Sequence, residues 1–215
     1  MADLQNKPVI VGFPIEIERA VNQVRIQLAK LEWIDHPYFI AQRFFRKDPS
    51  SGRLFIYPET YAPEKPGGRT YKRLTPDNDF KGMFFFMVGD GTTEFNANEY
   101  NFITFPVSII FSVNLQLISE AKLNRGLFTQ ELIRDARRVL TDQMMNFDFQ
   151  YDIINETRDI QRCFREFRMD ELEQYNRAPM QCFRIDLSFK IREDCGLVVP
   201  ENLGLYESGY IETYQ

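Results

Sequence analysis

The side chains able to do chemistry are few and poorly grouped. The single histidine, His36, stands before Pro37 at the junction between a helical and a strand-like segment. A serine, histidine and aspartate triad would have to use it, and no Gly-x-Ser-x-Gly elbow is present. It reads instead as a junction residue capping a helix end. Cys163, Cys182 and Cys195 have no Cys-x-x-Cys spacing, too sparse for a zinc centre or a disulfide framework. Val88-Gly89-Asp90-Gly91-Thr92-Thr93 is rich in glycine but lacks the phosphate-loop frame, and it reads as a hairpin turn. The acidic pairs Asp77/Asp79 and Asp170/Glu171 carry no spacing that selects a cation. Asn155-Glu156-Thr157 matches a glycosylation sequon, which matters only in a secreted chain. The cations Lys65, Arg69, Lys72 and Arg73 read first as an ordinary surface loop or a contact with the next subunit, and second as a contact with DNA. Arg158, Arg162, Arg165 and Arg168 are interleaved with acids and read as a solvated face with internal ion pairs, the alternative being an inter-subunit contact. The expectation is a protein without catalysis, metal or cofactor.

Elements positioned around these residues must account for an unusual composition. The chain has 215 residues, 44% hydrophobic and 27% charged, which fits a folded domain. Its 20 phenylalanines exceed the expected need of one core and suggest subunit interfaces. Of the net charge of −5, all lies in the segment 193–215, which holds five acids and no Lys or Arg. Within the balanced remainder, Arg43 to Lys81 holds nine basic and five acidic residues. No large basic surface follows, so tight nucleic-acid binding is not the first expectation. No run approaches the length of a bilayer-spanning helix, and the first residues lack the apolar core of a signal peptide, so synthesis in the cytosol is expected.

Periodicity predicts a helix over Pro14 to Leu31, with Ile17, Val21, Val24, Leu28 and Leu31 on one face. Strands are predicted over Tyr38 to Arg46 and Arg53 to Tyr57, joined by a turn-rich connection. Pro58 to Gly68 is too punctuated to be regular, and Arg69 to Leu74 extends it as a flap. Gly82 to Val88 is a further strand. The strongest strand signals are Val107 to Leu117 and Phe183 to Arg192, where odd positions are apolar and even positions mostly polar. Each should bury one face and wet or share the other, with a length that suits a sheet continuing into a neighbouring subunit. A second helix is predicted over Gln130 to Met145, capped by Thr129 and stapled by Phe128 and Ile133. A strand over Phe147 to Ile154, a short helix over Glu156 to Phe164 and a turn over Met169 to Tyr175 follow. The fold class is α+β: an antiparallel or mixed β-sheet with two main helices packed on one face, a long flap loop and an extended C-terminal arm. Residues 1–192 form one domain with a loop or flap insertion at about 58–81, and 193–215 form an acidic, Tyr-rich arm.

The segments Asn155-Glu156-Thr157-Arg158-Asp159-Ile160, Phe164-Arg165-Glu166-Phe167 and Cys182-Phe183-Arg184-Ile185-Asp186-Leu187, with this element order, resemble small neck and tail-terminator virion proteins of tailed bacteriophages. The resemblance covers about 14–192 and is one of pattern. It implies a structural virion protein in a homo-oligomeric ring, a hexamer, at the neck or top of the tail. Such a ring terminates the tail tube and joins it to the head connector. Partners would be tail-tube and neck or connector proteins, with transient contact to DNA in the lumen through Lys65, Arg69, Lys72 and Arg73, and no membrane. The arm, with Tyr206, Tyr210 and Tyr214, could lie on a neighbour and lock the ring. The implied location is the virion, after assembly in the host cytoplasm. Alternatives are another tail component (tube, baseplate or sheath adaptor) and a nucleic-acid- or ligand-binding module.

Overall fold

The computed structural model describes residues 15–47, 52–61, 71–94, 102–123, 127–143, 149–170 and 172–192. The fold is α+β, with helices and both mixed and antiparallel sheets. Helix α1 (Ile15–Leu28) buries Ile17, Ala20, Val21, Val24 and Leu28 along one stripe. Glu16 and Glu18 lie in its first turn and Arg25 in its last, the arrangement that the helix dipole favours. Strands β1 (His36–Ile40) and β2 (Gln42–Lys47) replace the one strand expected over Tyr38 to Arg46. The break is at Ala41, where the chain passes from one sheet into another. Strands β3 (Leu54–Tyr61) and β4 (Tyr71–Arg73) complete a small antiparallel sheet in the order β2-β3-β4.

The large sheet has β5 (Gly82–Val88), β6 (Thr92–Glu94), β7 (Phe102–Asn114), β8 (Gln150–Thr157) and β9 (Met180–Arg192). Its order is β1-β5-β7-β9-β8, with β6 also on β7; only the β1–β5 pair is parallel. The turn Gly89 to Gly91 does not close a hairpin as expected, because β5 and β6 lie one after the other along the same edge of β7. The Gly89 N–H continues that ladder to the Pro106 carbonyl at 2.8 Å. Helix α2 (Leu115–Ile118) follows β7, and helix α3 (Phe128–Gln143) lies with α1 on the odd face of the sheet. Phe128 opens α3, so Thr129 sits inside its first turn rather than before it. Phe84, Phe86, Ile109, Phe111, Phe183, Ile185 and Phe189 meet the two helices there. Phe111 stacks on Phe183 with centroids 4.5 Å apart. Each fully buried side chain of this size stabilises by about 1.5–3 kcal/mol.

The even face is wetted only in part: Pro106 and Arg192 are exposed and Thr104, Ser188 and Lys190 half-buried, while the stretch over Ser108 to Asn114 and Met180 to Arg184 is covered, contrary to the expectation. It carries a second core of Phe85, Ile110 and Cys182, closed by Tyr57, Leu74, Cys163, Phe164, Phe167 and Met169. Its cover is the β2-β3-β4 sheet together with helix α4 (Ile160–Cys163) and the 3-10 turn Leu172–Asn176. Much of β7 and β9 is therefore covered within the subunit, and phenylalanines fill two cores rather than one. Two other expectations change here. Pro58 lies within β3, and Glu156 lies within β8 rather than starting a helix, which is confined to the turn capped by Asp159.

Gly82 is where α1's following turn meets the sheet. A Cβ at this position would fall onto the Trp33 carbonyl oxygen, with Ile34 Cδ1 at 3.3 Å. The Gly82 carbonyl meanwhile accepts from the Asp35 N–H at 2.9 Å, which holds the two backbones together. Gly82→Ala should therefore cost about 1–3 kcal/mol, read as a lower denaturation midpoint at unchanged slope.

Candidate functional site

The outward edge of β2 follows from the hydrogen bonds of its neighbour. Ile56 in β3 exchanges both backbone bonds with Arg168, its N–H at 2.9 Å and its carbonyl at 3.0 Å. The Pro58 carbonyl accepts from the Leu74 N–H at 2.8 Å on the same side. Even positions of β3 thus turn away from β2, and the pairs Arg43↔Pro58, Phe45↔Ile56 and Lys47↔Leu54 are the non-hydrogen-bonded ones. This explains why β3 tolerates Pro58: its missing N–H belongs to no β2–β3 bond. It also means that the N–H and C=O groups of Arg43, Phe45 and Lys47 face away from β3. Among the described residues no strand pairs with that edge.

The side chains of the same three residues share one face. Phe45 is 59% exposed, and Leu54 beside it is 46% exposed. On the opposite face Phe44 packs its ring 5.6 Å from Tyr71, with the Arg46 guanidinium 5.4 Å above it. Arg46 also donates two bonds to Glu59 Oε1, at 2.5 and 2.9 Å, and Glu59 is wholly buried at the root of the sheet. The Arg46–Glu59 pair ties β2 to β3 at the root of the sheet, while Phe45 and Leu54 remain exposed further out. Strands β1, β4, β6 and β8 also end their sheets, and β8 is blunted by a bulge after Ile153, although Ile154 is exposed.

Of the basic cluster read from sequence, Lys65 and Arg69 lie outside the described residues. Lys72 and Arg73 are in β4, exposed but laid over rings of their own chain: the Lys72 ammonium 5.1 Å from Tyr38 and the Arg73 guanidinium 3.9 Å from Tyr57. Tyr206, Tyr210 and Tyr214 also lie outside the described residues.

A buried polar network sits on the even face, between β7, β9 and the 159–169 segment. Arg184 is 1% exposed, and every guanidinium nitrogen is engaged. Nη1 and Nη2 donate to Glu166 Oε2 and Oε1 at 2.5 and 2.6 Å, and Nε donates to Asp186 Oδ1 at 2.6 Å. Nη1 also reaches the Cys163 carbonyl at 3.2 Å, and Nη2 the Ser108 hydroxyl at 2.6 Å. Ser108 in turn donates to Asp186 at 2.7 Å. Burial opposes all three charges, but mutual pairing outweighs it, holding both carboxyls below their usual range and the guanidinium above its own. The network pins the 159–169 segment to the sheet.

The remaining candidates have structural surroundings. His36 opens β1 rather than capping a helix, its ring 3.8 Å from Phe80; burial first, then Lys72, lowers its pKa. Burial pushes the Cys163 thiol up to about 12 and raises that of Cys182. Cys195 lies outside the described residues. Asp77 Oδ1 accepts from the Asp79 N–H at 3.0 Å, closing a turn. Asp170 is exposed and Glu171 lies outside the described residues, while the sequon residues form part of β8. Among the described residues no group of three or more His, Cys, Asp or Glu could hold a metal ion, and no helix is long and apolar enough to cross a membrane.

Sequence reasoning missed the β2 edge and the Arg184 network. Alternation puts Arg43, Phe45 and Lys47 at one parity, yet only pairing tells which strand is last in its sheet. Comparison with protein-family models and with curated proteins finds no match for this chain.

Proposed function

We propose that this chain is a non-catalytic structural subunit that assembles through its β2 edge into a ring at the neck or top of a phage tail, ending the tube and joining it to the head connector. The observation that carries the assembly reading is the edge itself: three outward backbone units with Arg43, exposed Phe45 and Lys47 on one face. An open edge adds a strand from a partner, the backbone giving affinity and the side chains specificity. Antiparallel self-pairing about Phe45 would set Arg43 opposite Lys47 of a second copy, which like charge opposes. The edge therefore calls for an unlike surface, and a repeated unlike contact closes as a ring or continues as a filament. The phage setting rests on the resemblance around Asn155 to Leu187.

Light scattering of the purified protein, followed by negative-stain imaging with and without the tail-tube protein, tests the reading. A closed ring, alone or on the tube end, is expected. A single chain that ignores tail proteins and retains DNA through the basic cluster would overturn it. That second reading has its own support in Phe44 and Arg46, since aromatic rings beside cations also suit single-stranded nucleic acid. Neutralising Lys65, Arg69, Lys72 and Arg73 would then abolish DNA retention.

A further inference from the structure

We propose that β2 of one copy pairs antiparallel with the β8 edge of the next copy, so that the small sheet of one subunit continues the large sheet of its neighbour. This rests on reading β2 as the contact edge, and it names the surface that receives it.

Charge selects the two edges. Strand β2 holds Arg43, Arg46 and Lys47 and no acid, whereas β8 holds Asp152 and Glu156 and no Lys or Arg. Pairing β2 with β2, or β8 with β8, sets like charges together; the unlike pair brings opposite ones across. The other strands that end their sheets offer less: β1 and β4 hold no acid, and β6 is three residues long with Glu94 alone. Both edges also expose apolar side chains, Phe44 and Phe45 on β2 and Ile154 on β8.

The backbone sets the register. The Asn114 N–H bonds to the Lys81 carbonyl at 2.8 Å, so the backbone groups of even positions in β7 face β5 and those of odd positions face β9. Through the β7–β9 register, odd positions of β9 face β7 and even positions face β8. Asp152, Asn155 and Thr157 stand opposite even positions of β9 and turn inward, while Ile153 and Glu156 turn outward. Antiparallel pairing joins outward unit to outward unit, which sets Phe45 opposite Ile153. The same register sets Arg46 opposite exposed Asp152 and Phe44 opposite exposed Ile154. Beyond Ile154 the bulge shifts the count by one and brings Arg43 to Glu156. The faces agree as well. Ile153 packs against the core under the helices and Glu156 bonds Arg137 of α3, so Phe45 would extend that apolar face. Each copy gives β2 and receives on β8, a head-to-tail contact whose closure is a ring.

Light scattering of the full chain and two variants tests this. Asp152→Lys/Ile154→Lys alters exposed side chains of β8, and Phe45→Pro removes an outward donor of β2. Circular dichroism checks the fold of each, and Ile154→Lys alone replaces the double variant if that misfolds. The natural protein should self-associate, and the β8 variant should do so roughly tenfold or more weakly. Mixed in equal amounts at about 1 mM, the two variants should give pairs of chains and nothing larger, because one intact β2 meets one intact β8. A β8 variant that assembles like the natural protein would overturn the inference. So would a mixture that stays single while the natural chain assembles; β2 would then dock elsewhere, and the ring reading would survive. A natural chain that stays single at about 1 mM also overturns it, and imaging with the tail-tube protein then decides the ring reading separately.

Discussion

Arg184→Met should destabilise the folded chain by about 3–5 kcal/mol, the cost of stranding buried charges whose partner is gone. Methionine fills much the same volume, so the loss is electrostatic rather than a cavity. Glu166 loses both of its Arg184 bonds and keeps Arg165, at 3.1 Å, and a backbone hydrogen bond; Asp186 keeps Ser108 and a distant Arg165. The Cys163 carbonyl loses its donor as well. Arg184→Lys retains the charge but cannot reach two carboxylates, a carbonyl and a hydroxyl together, so about 1–3 kcal/mol should still be lost. Denaturant titration at pH 7 gives both values.

The pH dependence separates this mechanism from simple repacking. In the natural chain the carboxyls of Glu166 and Asp186 titrate below their unfolded values. Their contribution is complete above the unfolded carboxylate pKa, near 4, and is lost as pH falls through the depressed folded values. In Arg184→Met the opposing effect, burial, loses its main counterweight and the two pKa values rise. Protonation then relieves the variant before it harms the natural chain. The difference in stability between the two should be greatest at neutral pH and shrink towards pH 4. A difference that stays constant over that range would assign the loss to packing.

How much of this was legible in the sequence depends on the range of the interaction. The odd-position apolar residues of Val107 to Val113 and Phe183 to Ile191 specify which face of the sheet the helices cover, because side-chain period and sheet face are the same fact. The cover on the even face was not legible. Arg184, Asp186 and Ser108 read as solvent-facing by type, and only the return of 159–169 over them makes them a buried network. Pro58 misled for a similar reason. Proline ends a strand unless its missing N–H points where no ladder bond is made, and that depends on the pairing of β3 with β2 and Arg168. The β2 edge lies between these cases: its alternation is local, but its place at the margin of a sheet is set by β3 and β4.

Phe45→Pro should abolish the proposed assembly while leaving the subunit folded. The Phe45 N–H points away from β3, so proline removes no bond within the sheet and takes away the central donor of the open edge. With it goes the aromatic side chain that is 59% exposed and available to a partner. Together these should weaken each contact by about 2–3 kcal/mol, roughly a hundredfold in affinity. The proposed ring would repeat that loss at every interface, so light scattering should report single chains at concentrations where the natural protein gives the mass of a ring. Phe45→Ala keeps the donor and should weaken assembly less. Phe44→Pro is the opposite control: Phe44 is hydrogen-bonded across to Tyr57, so proline there breaks the β2–β3 ladder and should lower the melting temperature. A Phe45→Pro protein that still forms rings would remove β2 from the interface, leaving the bulged β8 edge around Ile154 as the surface to alter next. A Phe45→Pro protein that stays single but still retains DNA would instead separate assembly from the cations of the small sheet, because proline leaves Arg43, Lys47, Lys72 and Arg73 in place.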